Sequence, residues 1–141
     1  MVNIYVADAS VVIKWYVPEI HSEAARRLRK PAYRLHVPDF FLLEFGNVVC
    51  KKLRRGDITR QLSNTMINDV QTILLKWHKD EPLFSKAFEI ANETKRSLYD
   101  CLYLSLAVSL DAQMVTADLR LYNALKDGDY GSRLLWVEDI P

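Results

Sequence analysis

Four acidic residues occupy places that a folded chain has to explain. Asp8 closes the β-rich run Val6-Ala7-Asp8, and Asp118 closes Met114-Val115-Thr116-Ala117-Asp118. Glu44 interrupts Phe40-Phe41-Leu42-Leu43-Glu44-Phe45, with Phe40, Phe41 and Val48 one helical turn away. A carboxylate there loses water, which is costly unless a cation or hydrogen bonds compensate. Asp100 opens the apolar stretch Ser97 to Leu110. Singly, each has an ordinary explanation. Asp8 can accept N–H groups at a helix start, Asp118 can be an N-cap, Asp100 can join a capping box with Ser97, and Glu44 can pair with a Lys or Arg. Together these need four independent coincidences, which one divalent-cation site replaces. Clustered carboxylates raise one another's pKa, and a hard cation with oxygen ligands removes the repulsion. Mg²⁺ and Mn²⁺ both suit such ligands. Two such ions about 4 Å apart can activate a water and stabilise the leaving oxygen in phosphodiester cleavage. Thr116 and Ser10 offer supporting hydroxyls at the same strand ends, and Asn47 lies one turn beyond Glu44.

The acids converge only if the elements carrying them do. The sequence predicts strands over Asn3 to Ala7, Leu35 to Val37, Gln113 to Thr116 and Leu134 to Val137. Helices are expected over Ser10 to Tyr16, Ile20 to Lys30 and Phe40 to Leu53, the last capped by Asp39 and stopped by Gly56. Thr59 caps a helix whose apolar face (Leu62, Met66, Val70, Ile73, Leu74) runs on to Trp77. Further helices are expected over Pro82 to Thr94, Ser97 to Leu110 and Asp118 to Leu125, the second of these apolar almost all round and therefore central. Strands alternating with helices imply an α/β layer fold with a mostly parallel sheet. In such sheets, sites form beyond the carboxyl ends of the strands, where Asp8 and Asp118 fall. No repeat or second domain is visible, so residues 1–141 read as one domain.

Composition bounds the alternatives. Half the chain is hydrophobic, enough to bury a core, while Gly (4) and Pro (5) are scarce, which argues against disorder. No apolar run approaches the length of a membrane helix, and the N-terminus lacks a basic leader; the expected location is cytoplasmic, with no membrane contact. Cys50 and Cys101 are expected as buried reduced thiols. His21, His36 and His78 read as scattered surface or core residues. The net charge of +1 is uninformative alone, but basic residues cluster at Arg26 to Lys30, Lys51 to Arg55 and Lys95-Arg96. Lys14, Lys95 and Arg96 are candidates to orient a phosphate backbone. A haloacid-dehalogenase-type phosphatase would want Asp-x-Asp after the first strand, where this chain has Ser10.

The ordered motifs Asp8-Ala9-Ser10, Glu44 with Asn47, Tyr99-Asp100-Cys101-Leu102-Tyr103-Leu104-Ser105-Leu106-Ala107 and Val115-Thr116-Ala117-Asp118 resemble a PIN domain, and among PIN domains the VapC-type toxins. The resemblance spans about Val2 to Trp136. It implies a three-layer α/β/α PIN-like domain and a ribonuclease in which Asp8, Glu44, Asp100 and Asp118 bind Mg²⁺ or Mn²⁺ and carry catalysis, with Thr116 as the family's usual Ser/Thr. It also implies an RNA substrate, a VapB-type antitoxin partner and a homodimer. Tyr16, Trp15, Trp77 and Phe84 are candidates for the dimer or antitoxin surface. The alternatives are an inactive PIN-like binding or assembly module, or another Asp-dependent α/β phosphohydrolase.

Overall fold

In the computed structural model, which describes residues 3–141, the first β-rich run becomes the middle of a sheet. The readings that touched Met1 and Val2 lie outside the described residues. Strands β1 (Asn3–Ala7), β2 (Tyr33–Pro38), β3 (Leu75–His78), β4 (Gln113–Thr116) and β5 (Leu134–Trp136) run in the order β3-β2-β1-β4-β5. Every pairing is parallel. Tyr5, Val6 and Ala7 of β1 and Met114, Val115 and Thr116 of β4 are all buried. Successive side chains point to opposite faces, so helices must cover both, which is the expected three-layer arrangement.

Among the described residues, seven α-helices join these strands: α1 (Ala9–Val12), α2 (Ser22–Ala25), α3 (Phe40–Arg54), α4 (Arg60–Val70), α5 (Phe84–Thr94), α6 (Leu98–Leu110) and α7 (Leu119–Leu125). Central α6 packs on α5 and lies against β1, β2 and β4, with Tyr103, Leu104 and Leu106 fully enclosed. Its start is set by Ser97, whose hydroxyl accepts from the Asp100 N–H at 3.1 Å. Thr59 caps α4 in the same way, through the Leu62 N–H at 3.0 Å. Gly56, at φ +75°, closes α3 with its N–H on the Leu53 carbonyl. No helix among the described residues is long and apolar enough to cross a membrane.

The structure corrects several expectations. The helix after Thr59 stops at Val70, and Leu75–His78 is an edge strand. Leu62, Met66, Val70, Ile73 and Trp77 fit a helical period without a Gly or Pro break. The competing signal was the alternation of half-buried Ile73, Leu75 and Trp77 with exposed Leu74 and Lys76. The segments before β2 are single turns: α1 and α2 each give way to 3₁₀ geometry. Asp39 precedes α3 but makes no side-chain cap; the Phe40 N–H goes instead to Asp80 Oδ1 at 3.1 Å. Cys50 is exposed and only Cys101 is buried, its thiol pushed up to about 11 mainly by desolvation. His36 and His78 are partners rather than scattered: parallel pairing of β2 and β3 stacks their rings, with Nδ1 and Nε2 2.8 Å apart. Of the four aromatics considered for an interface, Trp15 is buried with its Nε1–H on the Ala25 carbonyl, Tyr16 donates to Asp69, and Trp77 packs edge-on to Phe41. Only Phe84 stands clear, half exposed beside Phe88 on α5.

Strand order has a direct functional consequence. The chain moves outward from β1 through β2 to β3, then returns to place β4 and β5 on the other side. The reversal lies between β1 and β4, and sheets of this kind leave a crevice at that point, beyond the strands' carboxyl ends. Asp8 follows β1 directly, and Asp118 lies two residues past β4.

Candidate active site

Asp8 leaves β1 in extended conformation at the start of α1, and only 6% of its surface is exposed. Its Oδ2 accepts from the Thr116 hydroxyl at 2.8 Å and its Oδ1 from the Ser10 N–H at 3.2 Å. The Thr116 oxygen in turn accepts from the Asp118 N–H at 3.0 Å, and the Ser10 hydroxyl accepts from the Ala117 N–H at 3.0 Å. Two hydroxyls thus tie the end of β4 to the end of β1. Asp118 then caps α7 by accepting from the Leu121 N–H. The ordinary reading of Asp8 and Asp118 as helix-start acceptors is therefore correct as far as it goes, but it does not explain the burial of Asp8.

The other two acids approach from helices. Glu44 projects from α3 and accepts from the hydroxyl of fully buried Tyr103, on α6, at 2.6 Å. No Lys or Arg pairs with Glu44 among the described residues. Asp100, in the first turn of α6, has a loose contact with Arg96 at 3.9 Å.

The charges of these carboxyls act on one another. Desolvation pushes Asp8 up to about 6, against the hydrogen bonds from Thr116 and Ser10, and the charge of Asp100 adds to the rise. Glu44 is pushed up to about 8, first by desolvation and then by the charge of Asp8, with Asp100 adding to it. Asp100 is raised by desolvation and by Asp118, while Ser97 and Arg96 oppose the rise. Asp8, Glu44, Asp100 and Asp118 thus form a chain of mutually repelling acids.

The convergence is looser than a closed coordination shell. Among the described residues, no group of three or more His, Cys, Asp or Glu side chains is drawn close enough to hold an ion as it stands. The reason is visible in the bonding: Asp8 is tied to Thr116, Glu44 to Tyr103 and Asp118 to its own helix. The donor set nevertheless fits a hard divalent cation, since it offers carboxylate oxygens alone and carries charge that folding disfavours unless a cation balances it.

The supporting residues divide. Thr116 and Ser10 are in the cluster as expected. Asn47 is exposed and lines a groove of about 650 Å³ between α3 and α4, away from the acids. Lys14 is buried against Glu19 at 3.1 Å, where Lys52 also binds, so it is not presented to a phosphate. Lys95 adopts left-handed backbone at φ +61° just before α6. Arg96 Nε is buried without a hydrogen-bond partner among the described residues. Tyr103 escaped the sequence reading as a site residue; a tyrosine inside an otherwise apolar helix, one turn from Asp100, was the available signal.

Comparison with known proteins bears on the fold and the family. The family model of the PIN domain matches residues 5–126. The curated protein Ribonuclease VapC3 of Pyrobaculum aerophilum is 31% identical over 118 residues, covering 82% of this chain and 90% of its own. Among solved structures, a Pyrobaculum aerophilum protein superposes with a TM-score of 0.70 at 22% identity, over 97% of this chain and 85% of its own. The Mycobacterium tuberculosis toxin VapC20, described as cleaving the sarcin-ricin loop, superposes with a TM-score of 0.66 at 16% identity, over 99% of this chain and 100% of its own. VapBC2 of Rickettsia felis, solved with a DNA fragment from its promoter, gives a TM-score of 0.61 at 12% identity, over 94% of this chain and 96% of its own. At these identities the structures speak for the fold, and the family model together with the curated relative goes further: this chain belongs to the PIN domain family.

Proposed function

We propose that the protein is a divalent-metal-dependent endoribonuclease, the toxin of a VapBC-type pair, with Asp8, Glu44, Asp100 and Asp118 as ion ligands. The observation that carries this reading is the electrostatic coupling of four acids, two of which follow the carboxyl ends of β1 and β4, with desolvation and mutual repulsion raising Asp8, Glu44 and Asp100. A carboxylate cluster of this kind suits Mg²⁺ or Mn²⁺ better than softer metals. The curated relative is itself named a ribonuclease, which supports RNA as substrate.

A divalent ion bound here supplies Lewis acidity to a water and to a phosphoryl oxygen. The chain's own residues supply the rest. Thr116 fixes Asp8 by donating to Oδ2, and the same hydroxyl accepts from the Asp118 N–H, so both strand ends keep one spacing. Tyr103 holds Glu44 toward the crevice. Arg96 and Lys95, at the mouth of α6, attract the phosphate backbone. The experiment is metal removal. RNA cleavage is expected to vanish in EDTA and return with Mn²⁺ or Mg²⁺. Persistence in EDTA would overturn the mechanism, and no cleavage with either ion would leave a PIN-fold binding module.

The proposed partner is a VapB-type antitoxin, supported by the toxin–antitoxin complexes among proteins of the same fold; the proposed place of action is the cytoplasm. We further propose a homodimer through the outer face of α5, where Phe84 and Phe88 stack 6.1 Å apart and are 50% and 55% exposed. Analytical ultracentrifugation should return twice the 16.4 kDa chain mass at micromolar concentration. A single-chain mass there would remove the dimer from this account.

A further inference from the structure

The helices that join Glu44 to Tyr103 also join a second pair one turn earlier. Phe40 lies four residues before Glu44 on α3, and Tyr99 lies four before Tyr103 on α6, immediately before Asp100. The rings of Phe40 and Tyr99 stack with centroids 4.7 Å apart and planes 13° from parallel. One helical turn, about 5.4 Å along the axis, separates this stack from the Glu44–Tyr103 bond.

Core packing accounts for Phe40, which lies against the hydrophobic core, but not for Tyr99. Residues Cys101 to Ala107 of α6 are buried, whereas Tyr99 is 57% exposed. Phe40 is half-buried beneath it, and the Phe40 backbone is pinned by Asp80. The result is a flat ring on a fixed support, held open to solvent next to Asp100. Arg96 and Lys95 precede Tyr99 by three and four residues. An aromatic face combined with nearby cations is the chemistry that holds unpaired nucleobases, because every base has a π-face to stack.

We infer that the Phe40–Tyr99 stack is a base platform: an unpaired base of the RNA, next to the phosphate to be cut, extends the stack on the open face of Tyr99. The inference rests on the proposed ribonuclease reading and names the side chains that would seat the substrate beside the acids. A base held this way must be unstacked from its neighbours.

The test uses single-stranded oligoribonucleotides with 2-aminopurine at successive positions. Binding is followed by fluorescence in the Asp8→Asn background, and cleavage kinetics in the otherwise unaltered protein. Quenching is expected at one position. Tyr99→Ala should abolish that quenching and weaken binding roughly 5- to 100-fold, while Tyr99→Trp restores both. An abasic residue at that position should weaken binding as much as Tyr99→Ala does, with no further loss when the two are combined. In cleavage, Tyr99→Ala should raise KM with kcat little changed. RNA bound and cut equally well by Tyr99→Ala would sink the platform and leave the ribonuclease reading intact. So would a Tyr99→Ala defect seen only in binding a protein partner, which would make the stack a protein contact. Failure of the unaltered protein either to bind or to cut RNA would instead remove the ribonuclease reading, and the platform with it.

Discussion

Replacing Asp8 by asparagine is expected to abolish RNA cleavage while making the metal-free protein harder to unfold. The two effects have one cause. Asp8 is almost fully buried, and at neutral pH its carboxylate is held ionised against desolvation and the charge of Asp100. Each unit of pKa rise corresponds to about 1.4 kcal/mol opposing the folded state. Asparagine removes the charge and keeps an acceptor for the Ser10 N–H, but gives up the charged bond from Thr116, so part of the gain is lost. A net stabilisation of about 1–2 kcal/mol in EDTA at pH 7 is the expected outcome, read by urea unfolding. Loss of an outer-shell partner alone costs about 10- to 100-fold in metal affinity or activity. Loss of a ligand should therefore cost at least about 100-fold in kcat/KM. A variant that still cuts RNA at the unaltered rate would remove Asp8 from the ligand set.

Metal-free protein should lose stability as pH rises from about 4 to 8, and divalent cations should restore it. The folded-state values of Asp8 and Glu44 stand at about 6 and about 8, above the ordinary carboxylate range. Between the unfolded and folded values the native state binds more protons, so raising the pH favours unfolding. The stabilising contribution is complete near pH 4 and is lost as pH passes the folded values. A cation binds the ionised carboxylates, so its effect has the opposite trend. At 100 times its Kd it adds about 2.7 kcal/mol, which for a chain of this size raises Tm by roughly 5–10 °C. That increment should be largest near pH 8, fade toward pH 4 and be blunted by Asp8→Asn. A thermal shift with Mn²⁺ that is absent, or constant across this range, would refute a shared ion site.

The sequence showed the acids more clearly than the frame around them. Asp8 and Asp118 were legible because a short β-rich run ends abruptly in a charge, and Glu44 because desolvation makes a carboxylate among phenylalanines conspicuous. Apolar α6 was legible from composition alone. Edge strand β3 was not: solvent on its outer side leaves only a weak alternation, and Ile73 and Trp77 also fit the helical period of Leu62, Met66 and Val70. Side-chain partnerships across the fold left no trace in spacing. Nothing local assigns Tyr103 to Glu44 or Phe40 to Tyr99. These depend on how helices lie against one another, which is settled by packing over the whole domain.

The reversal of strand order between β1 and β4 also dictates when the crevice can exist. One wall belongs to the eighth residue and the other to a strand that ends at Thr116, with more than a hundred residues of chain between them. On the ribosome, the first strand must wait for a neighbour synthesised near the end of the domain before its second edge is covered. A nascent chain shorter than that therefore carries no assembled acidic cluster.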